Sequence, residues 1–129
     1  MRWAAVSIGV LILLFAGYWA VMHLVLAPSC RDQIVHEASS PDGSYVADVL
    51  ERECGATTRT EWVVMLRKRS DRFRPDDYHE WVFTSDHRQR IETDWADSTH
   101  LVIKSERSDQ SPNPVPSWRS VRIVRQTLR

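Results

Sequence analysis

The chain has 129 residues, with 17 basic and 17 acidic side chains and no net charge. This balance argues against a general nucleic-acid binder, which needs a basic excess to displace counterions from phosphates. With residues 1–27 set aside, about a hundred remain, enough for one small domain with a modest core.

Trp3 to Ala27 is a run of 25 positions without Asp, Glu, Lys or Arg. A helix rising about 1.5 Å per residue crosses a bilayer core of about 30 Å in about 20 residues. The run therefore predicts one transmembrane helix, with Trp3 near one end and Tyr18, Trp19 and His23 toward the other as interfacial anchors. A cleaved signal peptide has a shorter apolar core, about 7–15 residues. Lipid attachment at Cys30 would need small residues before it, and Pro28 in "LAPS" departs from that pattern. The expected organisation is a membrane anchor over residues 1–27 and a single domain over residues 28–129.

Within the domain, "QIVHEA" (33–38) predicts a short strand. "SSPDG" then supplies a proline with favourable fixed φ and an Asp-Gly reversal. "SYVADVLERE" (44–53) is the second strand, with Tyr45, Ala47 and Val49 on one face. "CGATT" (54–58) interrupts it, and Gly55 there can adopt positive φ. "TEWVVMLRKR" (60–69) is the third strand, and "SDRFRPDD" (70–77) reads as a loop. "YHEWVFTSD", "RIETDW" and "THLVIKSE" are three further strands, the last two joined by a tight connection at "ADS". "RSDQSPNPVP" (107–116) is expected to be an exposed loop. "SWRSVRIVRQ" (117–126) predicts a final strand, with a short helix as the alternative. Together these give an all-β domain: an antiparallel sheet of about six to seven strands, as a sandwich, a partly closed barrel or one twisted sheet.

Cys30 and Cys54 are the two cysteines. A pair in a small exported domain reads as a disulfide. It places the N-terminus in the cytoplasm and the domain outside the bacterial inner membrane, in the periplasm or beyond. A bond to Cys30 also holds "CGATT" close to the membrane end of the domain.

Cys30, "SPDG" at 40–43, Ala47, "ERECGATT" at 51–58 and the Trp95, Asp97, Leu101, Ile103 pattern resemble a family of small bacterial envelope proteins with an N-terminal hydrophobic segment. The resemblance covers most of the domain and also implies the Cys30–Cys54 pairing. It implies no biochemical activity.

The domain holds two glycines, Gly43 and Gly55, too few for a Gly-rich phosphate loop or a dinucleotide fingerprint. It has no G-x-S-x-G, H-E-x-x-H or C-x-x-C. Catalytic residues, metal ligands and cofactors are therefore not expected. The nearest approach to a metal cluster is His79, Glu80 and His87, but the two histidines stand at opposite ends of one strand.

Two surfaces remain as candidates for recognition. Gly55, Ala56, Thr57 and Thr58 form a small, hydroxyl-bearing loop suited to a membrane partner or a cell-wall component. Arg67, Lys68, Arg69, Arg72 and Arg74 form a basic turn that could meet anionic lipid headgroups. It points away from the membrane if the "CGATT" loop is tethered there. The expected function is a membrane-anchored binding or accessory module with an envelope-protein or cell-wall partner. An inhibitor or immunity protein against an envelope-attacking enzyme is the alternative within binding, and an envelope hydrolase is the alternative outside it.

Overall fold

In the computed structural model, residues 2–26, 30–55, 58–107 and 115–129 are described. Helix α1 (Arg2–Leu26) is followed by eight strands. Ser7–Val25 within α1 is apolar, has a mean hydropathy of 2.2 and is exposed along its length. Length and composition make it fit to cross a membrane.

β1 (Arg31–Ser39), β2 (Tyr45–Glu53), β3 (Glu61–Lys68) and β4 (Trp81–Ser85) form an antiparallel meander in the order β1-β2-β3-β4. A bulge at Val35 shifts the β1–β2 register between Ile34 and His36. β5 (Ile91–Asp97), β6 (His100–Ser105), β7 (Ser117–Trp118) and β8 (Val121–Thr127) form a second sheet in the order β5-β6-β8-β7. The two sheets pack face to face as a sandwich, and neither closes into a barrel.

Ala47, Val49, Val64, Leu66, Phe83, Leu101, Ile103, Val121 and Trp118 fill the space between the sheets. Tyr45 joins them, as its alternation with Ala47 and Val49 predicts, and packs against Trp95 and Trp118. The first sheet is covered on its outer face too. Leu50, Val63 and Met65 lie there beneath Phe73 and Trp81. Burial on both faces explains why β2 and β3 read as nearly continuous apolar runs rather than a clean alternation. Of the domain's tryptophans, Trp118 is buried and Trp62, Trp81 and Trp95 are half-buried, so all four serve packing.

The "SPDG" turn forms as its residues dictate. Gly43 takes φ 72°. The Asp42 carboxylate accepts from the Ser40 hydroxyl (2.7 Å), the Ser44 hydroxyl (2.7 Å) and the Ser44 amide (3.1 Å). These donors hold its pKa down to about 2.

Three features differ from the sequence reading. β6 and β8 pair in parallel, so the second sheet is mixed. The chain between them must cross over, and residues 108–114 of it, within the expected exposed loop, lie outside the described residues. The last segment is neither one strand nor a helix: it breaks at Arg119–Ser120 into the hairpin β7–β8. Finally, "YHE" ahead of β4 forms one turn of 3₁₀ helix (Tyr78–Glu80).

Cys30 and Cys54 form a disulfide that joins the start of β1 to the end of β2. Its sulfur is thereby unavailable for lipid attachment. Replacing both cysteines with serine is expected to cost roughly 3–4 kcal/mol, the chain-entropy value for a loop of this length. Denaturant unfolding measures it, and an alkylating reagent should label neither cysteine before reduction. Asp42 carries a folded-state pKa below its unfolded value near 4, so it stabilises the fold above about pH 4 and loses that contribution as pH falls toward 2. Asp42→Asn should flatten this part of the acid-unfolding curve.

Candidate functional site

The disulfide sits at one end of the sandwich and the "SPDG" turn at the other. The nine residues of β2 between them span about 30 Å. Three residues separate Cys30 from the end of α1, so the four Cα-to-Cα steps reach at most about 14 Å. The disulfide end is therefore the end proximal to the helix.

At that end Gly55 adopts φ 110°. The Thr58 amide and hydroxyl both donate to the Gly55 carbonyl, at 3.3 and 3.0 Å. Thr58 thus spends its hydroxyl closing its own turn. Ala56 and Thr57 of the expected recognition loop lie outside the described residues.

At the distal end, the five basic residues of the expected surface divide by role. Arg67 donates to Asp48 Oδ2 at 2.7 Å and approaches Glu37 at 3.4 Å. Asp48 is fully buried, and burial pushes its carboxyl pKa up while Arg67 opposes that shift. Arg69 donates to the Gly43 carbonyl (3.0 Å) and the Ser39 hydroxyl (2.6 Å), stapling the "SPDG" turn to β1. Lys68 is exposed, beside Tyr45 and Arg69 in a shallow depression. Arg72 and Arg74 have no side-chain hydrogen bond or ion pair among the described residues, and both line a deeper cleft.

That cleft exists because the segment after β3 folds back over the outer face of the first sheet. Arg52, 3 % exposed, fastens it there. Its guanidinium binds Asp32 of β1 at 3.1 Å, the Pro75 carbonyl at 3.0 Å and the Asp76 carboxylate, and lies over the Trp81 ring. The Trp81 indole donates to the same Pro75 carbonyl. Between this segment, β3 and the β7–β8 turn lies a polar cleft of about 450 Å³. Basic side chains (Arg67, Arg72, Arg74, Arg119) and acidic ones (Asp71, Asp77, Glu80) both line it.

Arg119 is the most informative member. It occupies the first position of the two-residue β7–β8 turn at φ 50°, where glycine is favoured. It is the one non-glycine at positive φ among the described residues. Its guanidinium lies 4.7 Å from the Trp118 ring centre and donates to Glu80 Oε1 at 3.3 Å. Glu80 Oε2 is buried without a partner, and desolvation raises the Glu80 pKa against the pull of Arg119.

The sequence singled out Arg67, Arg72 and Arg74 but not Glu80 or Arg119 as parts of one cleft. Nothing in "SWRS" marks a turn, because the glycine or asparagine that signals one is absent. His79 and Glu80 sit before β4 and His87 after it, so the strand separates them. Among the described residues no three His, Cys, Asp or Glu side chains form a group able to hold a metal. What the cleft offers chemically is a set of fixed guanidinium donors and carboxylate acceptors.

No family model, curated protein or solved structure matches the chain.

The two kinds of arginine should separate on substitution. Arg67→Ala leaves the Asp48 charge buried and unpaired, and is expected to cost 3 kcal/mol or more, roughly the loss for breaking a buried pair. Adding Asp48→Asn should recover part of it. Arg72→Ala should stay within about 0.5 kcal/mol of the parent, as surface changes do. Denaturant titration of the four proteins measures both.

Proposed function

We propose that the chain is a single-pass inner-membrane protein with a cytoplasmic N-terminus, whose domain outside the membrane is a binding module. α1 is long and apolar enough for an anchor, and the disulfide suits an oxidising compartment. The resemblance to small bacterial envelope proteins points to the same place, and to an envelope protein or cell-wall component as the partner. The even charge balance keeps nucleic acid out of the reading.

The observation that carries the binding role is the distal cleft, where two arginines stand without protein partners beside a residue in strained backbone. A positive φ at a non-glycine costs on the order of 1–3 kcal/mol, and such strain concentrates at ligand-binding and catalytic positions. Among the described residues Arg72 and Arg74 bond no other side chain, which leaves them open to a ligand. The one hydroxyl–carboxylate pair that lines the cleft, Ser70 on Asp71 at 3.3 Å, is exposed and has no histidine among the cleft's lining residues to activate it, which favours recognition over catalysis. The cleft also replaces the "CGATT" loop as the leading recognition surface, because Thr58 is engaged in its own turn and the disulfide end is closest to α1.

In-cell crosslinking followed by purification from mildly solubilised membranes tests the role. Wild type is expected to capture a partner that Arg72→Ala/Arg74→Ala loses, while Thr57→Ala/Thr58→Ala retains it. An unchanged capture profile in the arginine variant would remove the cleft from the function. Protease added to intact spheroplasts should shave the domain, and a protected domain would reverse the proposed orientation.

A further inference from the structure

We infer that the distal cleft recognises a zwitterionic, peptide-like ligand, one that presents a carboxylate to Arg72 and Arg74 and an ammonium to the acidic side. This rests on the binding-module reading and names what that module binds. The cleft carries unsatisfied groups of both signs. Arg72 and Arg74 have no carboxylate of their own, and a guanidinium fork matches a carboxylate in two parallel hydrogen bonds. Among the described residues Asp71 and Asp77 take part in no ion pair: Asp71 Oδ1 accepts the Ser70 hydroxyl at 3.3 Å, and Asp77 Oδ1 accepts the His79 amide. Glu80 holds Arg119 through Oε1, while its Oε2 is enclosed by protein and out of a ligand's reach.

A simple anion fits this arrangement poorly. A phosphate drawn to Arg72 and Arg74 would enter a cleft that Asp71, Asp77 and Glu80 also line, and like charges in one site reject wrong partners. A simple cation meets the converse objection. A ligand with both groups satisfies both sides, and a cleft of about 450 Å³ lies within the range of small-ligand sites, about 300–1,000 Å³.

Arg119 gives the inference a test that a purely structural residue would fail. Its backbone is strained where glycine would be at ease, and its guanidinium fixes Glu80 from one side. If it is kept for the ligand, removing it relieves strain and harms binding together. Arg119 is a positioning residue in this scheme, because it acts on the ligand through Glu80.

The experiment uses the full chain in lipid nanodiscs, titrated calorimetrically with the tripeptide Ala-Glu-Lys bearing free termini. The comparison probes are the same peptide amidated at its carboxyl groups, the same peptide acetylated at its amines, and inorganic phosphate. Binding of the free peptide is expected, weakened at least tenfold by amidation, by acetylation and by Arg72→Ala/Arg74→Ala. Arg119→Gly should weaken binding at least fivefold without lowering the thermal midpoint. No binding to wild type, equal binding of a blocked peptide, or displacement by phosphate at equal concentration would each overturn the inference. A drop in both binding and thermal midpoint in Arg119→Gly would make Arg119 a fold residue. The exposed pair Arg72 and Arg74 would then decide the ligand class alone, with unchanged peptide affinity in their variant overturning it. If the peptide fails while crosslinking still depends on Arg72 and Arg74, the ligand class falls and the binding module stands.

Discussion

The guanidinium of Arg52 is the point on which the first sheet turns. One side chain from β2 reaches a carboxylate on β1, a carbonyl and a carboxylate on the segment after β3, and the ring of Trp81 on β4. Planarity makes this possible, since five N–H groups in a fixed fork can serve three acceptors while the face stacks on an indole. Without it, the segment carrying Phe73 loses its ionic attachment to the sheet and keeps the Trp81 indole bond to Pro75, which weakens the cover over Leu50, Val63 and Met65. The cleft depends on the same attachment, because Asp71, Arg72, Arg74 and Asp77 ride on that segment. A buried charge is costly in general, and this one is offset by two carboxylates, a carbonyl and an aromatic face.

The two ends of the sandwich are thereby given different work. The proximal end is closed by covalent chemistry and by a turn whose hydroxyl bonds its own backbone. The distal end is held by ionic groups, and it has more of them than the fold consumes. Arg67 and Arg69 are spent on Asp48 and on the "SPDG" turn, whereas Arg72 and Arg74 are not. Residues adjacent in one basic run therefore differ in kind, according to whether the strand or the covering segment carries them.

Much of the sandwich could be read before the structure. The apolar run of β2 with Tyr45, Ala47 and Val49 on one face, the turn chemistry at Pro41–Gly43 and the presence of a single cysteine pair are signals carried by the residues themselves, and each produced the expected feature. The misses share a cause in non-local geometry. The parallel pairing of β6 with β8 is set by a crossover that leaves no mark on either strand. The hairpin at Arg119 was hidden because an arginine stands where turn chemistry calls for glycine. The basic run was visible as composition, but its division into paired and unpaired arginines needed the positions of Asp48 and Glu37, distant in sequence.

The bulge at Val35 bears on how copies of this chain behave when crowded together. β1 is an edge strand, and Ile34 and Val35 are exposed on it. Read as a straight ribbon, Arg31 to Glu37 is its own electrostatic mirror: turned antiparallel about Ile34, Arg31 would meet Glu37 and Asp32 would meet His36 of a second copy. The extra residue breaks this symmetry. Arg31 lies in register with Glu53, on the Val49 side of the sheet, while Glu37 lies beside Asp48 on the opposite side. The would-be partners are sent to different faces, and the ribbon cannot zip onto itself in that register. A single inserted residue at an edge thus acts as insulation against this one self-pairing, a use to which bulges at sheet edges are commonly put.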